Sequence, residues 1–348
     1  MEDYKERKYL SSIEAAMYLN TTVSTIHHLA KSGEINSVIS GSGQKRFNLK
    51  DLKKYLTSLP KKAKPIQKKS SIYTELEVGN TVQKIYRKSS IKMSDLEDES
   101  VHLMLTSPPY FNAKMYSKRP IKEDLGNIHD LDEWFETITE VWREVFRVLQ
   151  PGRKAFINIM NLPVRGNGTF RTLNLVGRTV DVMEQIGFIF KRDIIWQKTN
   201  GVRAHFGTYP YPGGILINNM HEFILEFNKP ERKNFNKYAH LSRAQKESSR
   251  MDKNFWLSIK NSDVWVMKPE NSGGNRSHVA PFPFELPFRI IKAFSFIGET
   301  ILDPFLGSGT ALKAAADLGR NGVGYELSKE IADDAITNLK KQQIKLFA

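Results

Sequence analysis

Apolar positions recur along this chain with two different periods. They fall at Leu131, Trp134, Phe135, Ile138, Val141, Trp142, Val145, Phe146 and Leu149, three and four apart, which predicts an amphipathic helix. Asp130 with Glu133 forms a capping-box-like start, and Pro151-Gly152 is expected to end the helix. Both tryptophans lie on the apolar stripe and are assigned to the core. The short apolar runs "VHLMLT", "KAFINIM", "FKRDIIWQK" and "EFILEF" read as strands, and "TLNLVGRTVDVMEQIGF" as a helix among them. Near the end, "TILDPFLGSGTALKAAADLGRNGVGYEL" reads strand, loop, helix, strand. This alternation predicts an α/β fold from about residue 72 onward, a largely parallel, doubly wound sheet with helices on both faces.

The first 57 residues follow another rhythm. Ile13, Ala16, Met17 and Leu19, then Val23, Ile26, Leu29 and Ala30, make two short helical stripes, and Gly33 follows the second. "VISGSGQKRFNLKDLKKYL" then reads as strand, turn at Gly41 to Gly43, strand and helix. The pattern resembles the winged helix-turn-helix of the excisionase and MerR type. That resemblance implies DNA contacts from Lys31 on the second helix and from Lys45 and Arg46 on the wing. A protein-docking module fits the same pattern. Residues 58–71 hold five lysines, two prolines and no acid, and read as an extended linker. The remainder, 72–348, is assigned to one large domain. Its basic, aromatic stretch within about 201–277 is expected to be an insertion that recognises DNA, with Arg243 and Arg276 as contacts.

Composition narrows the chemistry. The 348 residues include no cysteine, which excludes disulfides, thiolate catalysis and cysteine-ligated zinc. The charged start "MEDYKERKYLSS" does not read as a signal peptide, and no apolar run approaches a membrane span, so a cytoplasmic location is expected. Histidines and acids show no metal-ligand spacing, and no metal is expected. A formal charge of +14 points to a polyanionic partner.

Two loops carry the chemistry. In "LDPFLGSGTAL" a strand ends at Leu302, Gly307 and Gly309 permit a tight turn, and a helix starts at Thr310. Glu326 follows Asp303 by 23 residues, at a distance suited to ribose hydroxyls. The third glycine of a dinucleotide fingerprint and the lysine of a P-loop are both missing, so the expected ligand has a ribose but no long phosphate chain. The second loop, "TSPPYF", stops an apolar strand with two prolines and leaves a tyrosine at the break.

Together the loops resemble the amino-group DNA methyltransferases that use S-adenosylmethionine, with the order of the beta class, in which the catalytic loop precedes the cofactor loop. "RDIIWQK", "HEFILEFNK", "SHVAPFPFELPFRII" and "GRNGVGYELSKE" match in the same order, over about residues 72–340. The resemblance implies a circularly permuted Rossmann-like fold. It assigns catalysis to Ser107, Pro108, Pro109 and Tyr110. It assigns the cofactor to Asp303, Pro304, Phe305, Gly307, Ser308, Gly309, Thr310 and Glu326, with His278, Pro281 and Phe282 near its methionine end. His221 and Glu222 read as structural. The family's Gly-Asp upstream of the catalytic strand is replaced by Ser89-Ser90. The expected partner is double-stranded DNA, in a restriction-modification setting that leaves room for a cognate endonuclease acting independently. Serine at the head of the motif favours N4 of cytosine; N6 of adenine is the alternative, and a DNA-binding regulator with an inert methyltransferase-like domain is the reading from another class.

Overall fold

A computed structural model describes residues 8–19, 21, 23–40, 44–58, 72–111, 124–166, 169–199, 212–213, 217–270 and 282–347. It divides into two compact units, Met1–Lys69 with Phe135–Glu140, and Ser70–Trp134 with Val141–Ala348. The first holds β1 (Tyr9–Ser11), α1 (Ser12–Leu19), α2 (Val23–Lys31), β2 (Ser37–Ile39), β3 (Lys45–Asn48) and α3 (Leu49–Ser58). Its antiparallel sheet has the order β1-β3-β2. Leu10, Ala16, Ile26, Phe47 and Leu52, all fully buried, form its core. Gly33, at φ 80°, takes the chain out of α2 in a conformation that other residues rarely adopt. The expected turn at Gly41 to Gly43 and the linker from 59 onward lie outside the described residues.

The chain continues with β4 (Thr74–Val78), β5 (Thr81–Tyr86), β6 (Val101–Thr106), α4 (Leu131–Val148), β7 (Leu149–Ile159), β8 (Leu162–Gly166), β9 (Thr169–Leu173) and α5 (Leu175–Ile186). Then come β10 (Ile189–Lys198), β11 (His221–Asn228), α6 (Arg243–Ser248), α7 (Lys253–Lys260), β12 (Val264–Met267), α8 (Glu285–Phe294), β13 (Thr300–Asp303), α9 (Thr310–Asp317), β14 (Asn321–Tyr325) and α10 (Lys329–Phe347). Nine strands form one sheet in the order β12-β10-β11-β7-β6-β13-β14-β5-β4. Strands β7, β6, β13, β14 and β5 are mutually parallel.

The sheet is more mixed than the sequence pattern predicts. β11 runs antiparallel to both neighbours, with Gln197 opposite His221 and Ile159 opposite Phe223, and β4 pairs antiparallel at one edge. Within the expected insertion at 201–277, β11 and β12 belong to the main sheet. Ile224, Leu225 and Phe227 on β11 are fully buried, so that span cannot be a single appended module.

β6 is buried on both sides. Leu103 and Leu105 join Leu286, Ile290, Ala311 and Ala314 of α8 and α9 in one apolar cluster, and Met104 is also fully buried. The long helix α4 begins as expected, with the Asp130 carboxylate accepting from the N–H groups of Asp132 and Glu133. Trp134 and Trp142 are buried. Its end falls where expected: the helix stops at Val148 with Leu149 as its cap, two residues before Pro151, and Pro151 and Gly152 then lie inside β7. A tertiary contact reinforces the stop. Lys229, just after β11, donates from Nζ to the carbonyls of Phe146 and Leu149, each at 2.7 Å.

Candidate active site

The parallel strands place two loops side by side. β6 ends at Thr106, β13 ends at Asp303, and the strands are adjacent and parallel, so "SPPY" and "PFLGSG" leave the same edge of the sheet. The side chains at the two strand ends are bonded: the Thr106 hydroxyl donates to Asp303 Oδ1 at 2.6 Å. Phe305 N–H donates to the same oxygen at 3.1 Å. Asp303 is 1 % exposed, and burial pushes its carboxyl up to about 7 against the pull of those two donors. Its bonds tie one loop to the other strand. It is a brace between them.

Glu326 follows β14. Its Oε2 accepts from Gly307 N–H at 3.1 Å and its Oε1 from Ser328 N–H at 2.8 Å. Burial raises this carboxyl to about 7 as well; the two N–H donors pull it down, and Asp124 and Asp303 nearby push it up. Gly307 and Gly309 take φ of 53° and 82°. They make different demands: Gly307 lines the pocket, whereas a Cβ on Gly309 would stand 3.1 Å from the Cβ of Ala335 on α10. The pocket is walled by Ser89, Ser90, Ile91, Ser107 to Tyr110, Asp124, Leu125, Phe282, Pro304 to Ser308, Thr310 and Tyr325 to Ser328.

At the "TSPPY" loop the Ser107 hydroxyl donates to the backbone carbonyl of Asn158 at 3.0 Å. Its proton is thereby committed, and its lone pairs remain as acceptors. The Tyr110 hydroxyl donates to Glu222 Oε2 at 2.7 Å. Asn158 Nδ2 donates to the same oxygen at 2.6 Å, and Lys198 Nζ stands 2.7 Å from Glu222 Oε1.

The DNA methylase family model, covering N6 and N4 amino-methyltransferases, matches residues 101–337. The type II methyltransferase M.MjaI of Methanocaldococcus jannaschii is 34% identical over 278 residues, spanning 72% of this chain and 89% of that enzyme. This chain belongs to the N6/N4 DNA methylase family. Its similarity to M.MthZI of Methanothermobacter thermautotrophicus is 33% over 271 residues, covering 73% of this chain and 75% of that one. Among solved structures, the Thermus thermophilus protein TTHA0409, in complex with S-adenosyl-L-methionine, is 29% identical, with a TM-score of 0.59 over 75% of this chain and 95% of that one. PvuII DNA methyltransferase shares the fold at a TM-score of 0.55 and 16% identity, over 76% and 92% of the two chains.

The methylase uses S-adenosylmethionine, and the pocket has the right chemistry for it. The donor set is acidic: Asp124 and Glu326 line the pocket, and Lys88, the cation among its described lining residues, is ion-paired with Asp95. Such a wall suits a ribose and a cationic tail and repels a phosphate chain. The Tyr325 hydroxyl, 1 % exposed, has no partner among the described residues, which leaves a polar group in the wall for a ligand to meet.

Other expected residues fall elsewhere. Phe282 reaches the pocket; His278, Pro281 and Arg276 lie outside the described residues. Lys31 and Lys45 are exposed in the first unit, and Arg46 is half-buried beside Gln44. The structure does not bring Arg243 to the loops. It opens α6, whose Gln245 and C-capping neighbour Ser249 bond to Ile297, near the start of β13 and so at the opposite end of the sheet strands. The sequence pattern does not mark Asn158 or Lys198, and Glu222 reads there as structural only. The one local signal was an acid next to the apolar run "FIL", beside a histidine.

One further group of possible ligands converges, His102, His240 and Glu299. Its donors are already used within the methylase. His102 Nδ1 accepts from Thr300 N–H at 3.1 Å, and burial, Arg153 and His240 lower its pKa to about 3. Glu299 is ion-paired with the buried Arg153.

Proposed function

We propose that this DNA methylase transfers a methyl group to the N4 amine of a cytosine turned out of duplex DNA, as the modification half of a restriction-modification system. The observation that carries this reading is the state of Ser107: its hydroxyl proton is held by Asn158, so its oxygen faces the site as an acceptor. When bound, S-adenosylmethionine supplies an electrophilic methyl on a sulfonium. The chain's residues supply the rest. The exocyclic amine of cytosine is a poor nucleophile, because its lone pair is delocalised into the ring. Ser107 Oγ and the Pro108 carbonyl accept its N–H hydrogens, draw the nitrogen toward tetrahedral geometry and offset the developing charge. Pro109 stiffens the turn that aims that carbonyl. Turning a base out costs a few kcal/mol. Stacking on the Tyr110 ring returns about 1–3 kcal/mol. Glu326 accepts from the cofactor ribose, and Phe305, Gly307, Ser308 and Phe282 enclose the cofactor.

In this reading the catalytic loop after β6 precedes the cofactor loop after β13 because the nucleotide-binding sheet is circularly permuted. The first unit acts as a winged helix-turn-helix, with α2 carrying Lys31 toward a groove and the β2–β3 hairpin carrying Lys45 and Arg46 along the phosphates. The test is chemical. DNA treated with the protein and S-adenosylmethionine is digested to nucleosides and analysed by mass spectrometry. N4-methylcytosine is expected. N6-methyladenine as the sole product overturns the base assignment and leaves the family membership intact. Cofactor binding without any methylated nucleoside would favour the inert regulator.

A further inference from the structure

We propose that Glu222 is a positioning residue for methyl transfer, holding the tyrosine and the serine of the "TSPPY" loop in fixed register through Asn158. Glu222 is 6 % exposed, and a carboxylate so buried is costly unless its lone pairs are used. Lys198 alone, on Oε1, would satisfy the charge. The second oxygen does something else: it accepts both the Tyr110 hydroxyl and the Asn158 amide. The backbone carbonyl of the same Asn158 takes the Ser107 hydroxyl. The loop is therefore clamped on both sides of its two prolines to adjacent strands, β7 and β11, which pair through Asn158 and Ile224.

The clamp has two consequences for chemistry. A tyrosine ring turns about two side-chain bonds; anchoring its hydroxyl oxygen fixes the axis of the ring, and because a phenol O–H prefers to lie in the ring plane, its direction toward Glu222 Oε2 favours one plane offered to a base. The Ser107 acceptor is set by the same asparagine, so the base face and the amine acceptor share one reference point. Preorganisation of this kind lowers the reorganisation needed at the transition state. Each bond to the carboxylate is charge-assisted.

The inference rests on the methyl-transfer reading, and the experiment separates the two. The full-length chain is assayed with radiolabelled S-adenosylmethionine and genomic DNA from a strain lacking modification, at saturating concentrations of both. Tyr110→Phe removes only the hydroxyl, Glu222→Gln keeps the shape and removes the charge, and the double variant combines them. Each single variant is expected to lower kcat by about ten- to a hundredfold, the range of one hydrogen bond to a charged group. Calorimetric affinity for S-adenosylmethionine should stay at the wild-type value in every variant that folds, and the melting temperature should change little in Tyr110→Phe, whereas Glu222→Gln should melt lower because Lys198 loses its counter-charge. The double variant should be no worse than the poorer single, because both cut the same bond. A wild-type kcat in Tyr110→Phe, or losses that simply add in the double variant, overturns the proposal. If Glu222→Gln does not fold, Tyr110→Phe carries the decision alone. A wild-type protein that binds S-adenosylmethionine yet methylates nothing overturns the functional reading itself, and this inference with it.

Discussion

If Glu326 accepts from the cofactor ribose, as proposed, its carboxyl should make cofactor affinity depend on pH in the physiological range. Burial raises it from 4.5 to about 7. At that value it is about nine-tenths ionised at pH 8 and about one-tenth at pH 6. Only the ionised form offers full acceptor capacity to ribose hydroxyls, so affinity for S-adenosylmethionine should fall about tenfold, or about 1.4 kcal/mol, between those pH values. Titration calorimetry at pH 6, 7 and 8 measures this, with Glu326→Gln as the reference. Glutamine keeps a carbonyl acceptor for one of the two N–H groups, from Gly307 and Ser328, that the carboxylate now binds. It should bind more weakly at pH 8 and show a flatter pH profile, which also removes any contribution from the ligand's own ionisation. Equal slopes in wild type and variant would refute the reasoning. The free protein responds with the opposite sign. Folding raises Asp303 from 3.8 and Glu326 from 4.5 to about 7, so the folded state holds protons that the unfolded chain has released. Their stabilisation is fully present below about pH 4 and is lost as pH rises through about 7, roughly 3–4 kcal/mol for each group.

Two further outcomes follow from the geometry. Gly307→Val should abolish S-adenosylmethionine binding, because φ 53° and the pocket wall both reject a branched side chain, whereas Gly309→Val should chiefly lower the melting temperature through the contact with Ala335; calorimetry and thermal melting on both variants separate the effects. Lys45→Ala or Arg46→Ala should weaken DNA binding alike for all sequences and reduce the salt slope by about 1 each, measured by fluorescence anisotropy against salt; unchanged slopes would assign the first unit another task.

Much of this protein is written locally in its chain. The Asp130 cap, the apolar stripe of α4, the continuous apolar run of β6 and the glycine turn after β13 each depend on residues a few positions apart, so periodicity and turn chemistry reveal them. The same is true of the paired loops. "TSPPY" and "DPFLGSGT" are contiguous, and their order along the chain is visible without coordinates.

What the sequence could not decide depends on contacts across long separations. The end of α4, which Pro151 already marks in the sequence, is also tied down by Lys229, 80 residues beyond Leu149, and no local pattern names that partner. The direction of β11 rests on pairing with β7 and β10, since an apolar run has no polarity of its own. Arg243 belongs to a basic, aromatic stretch that composition alone assigns to DNA, yet the chain carries it to the far end of the strands because β11 runs away from the loops. Glu222 stands 112 residues from Tyr110 and 64 from Asn158. In the sequence it is one acid at the edge of an apolar run. Only the folding of β11 beside β7 surrounds that carboxylate with a tyrosine, an asparagine and a lysine, because burial demands partners that a linear pattern cannot name.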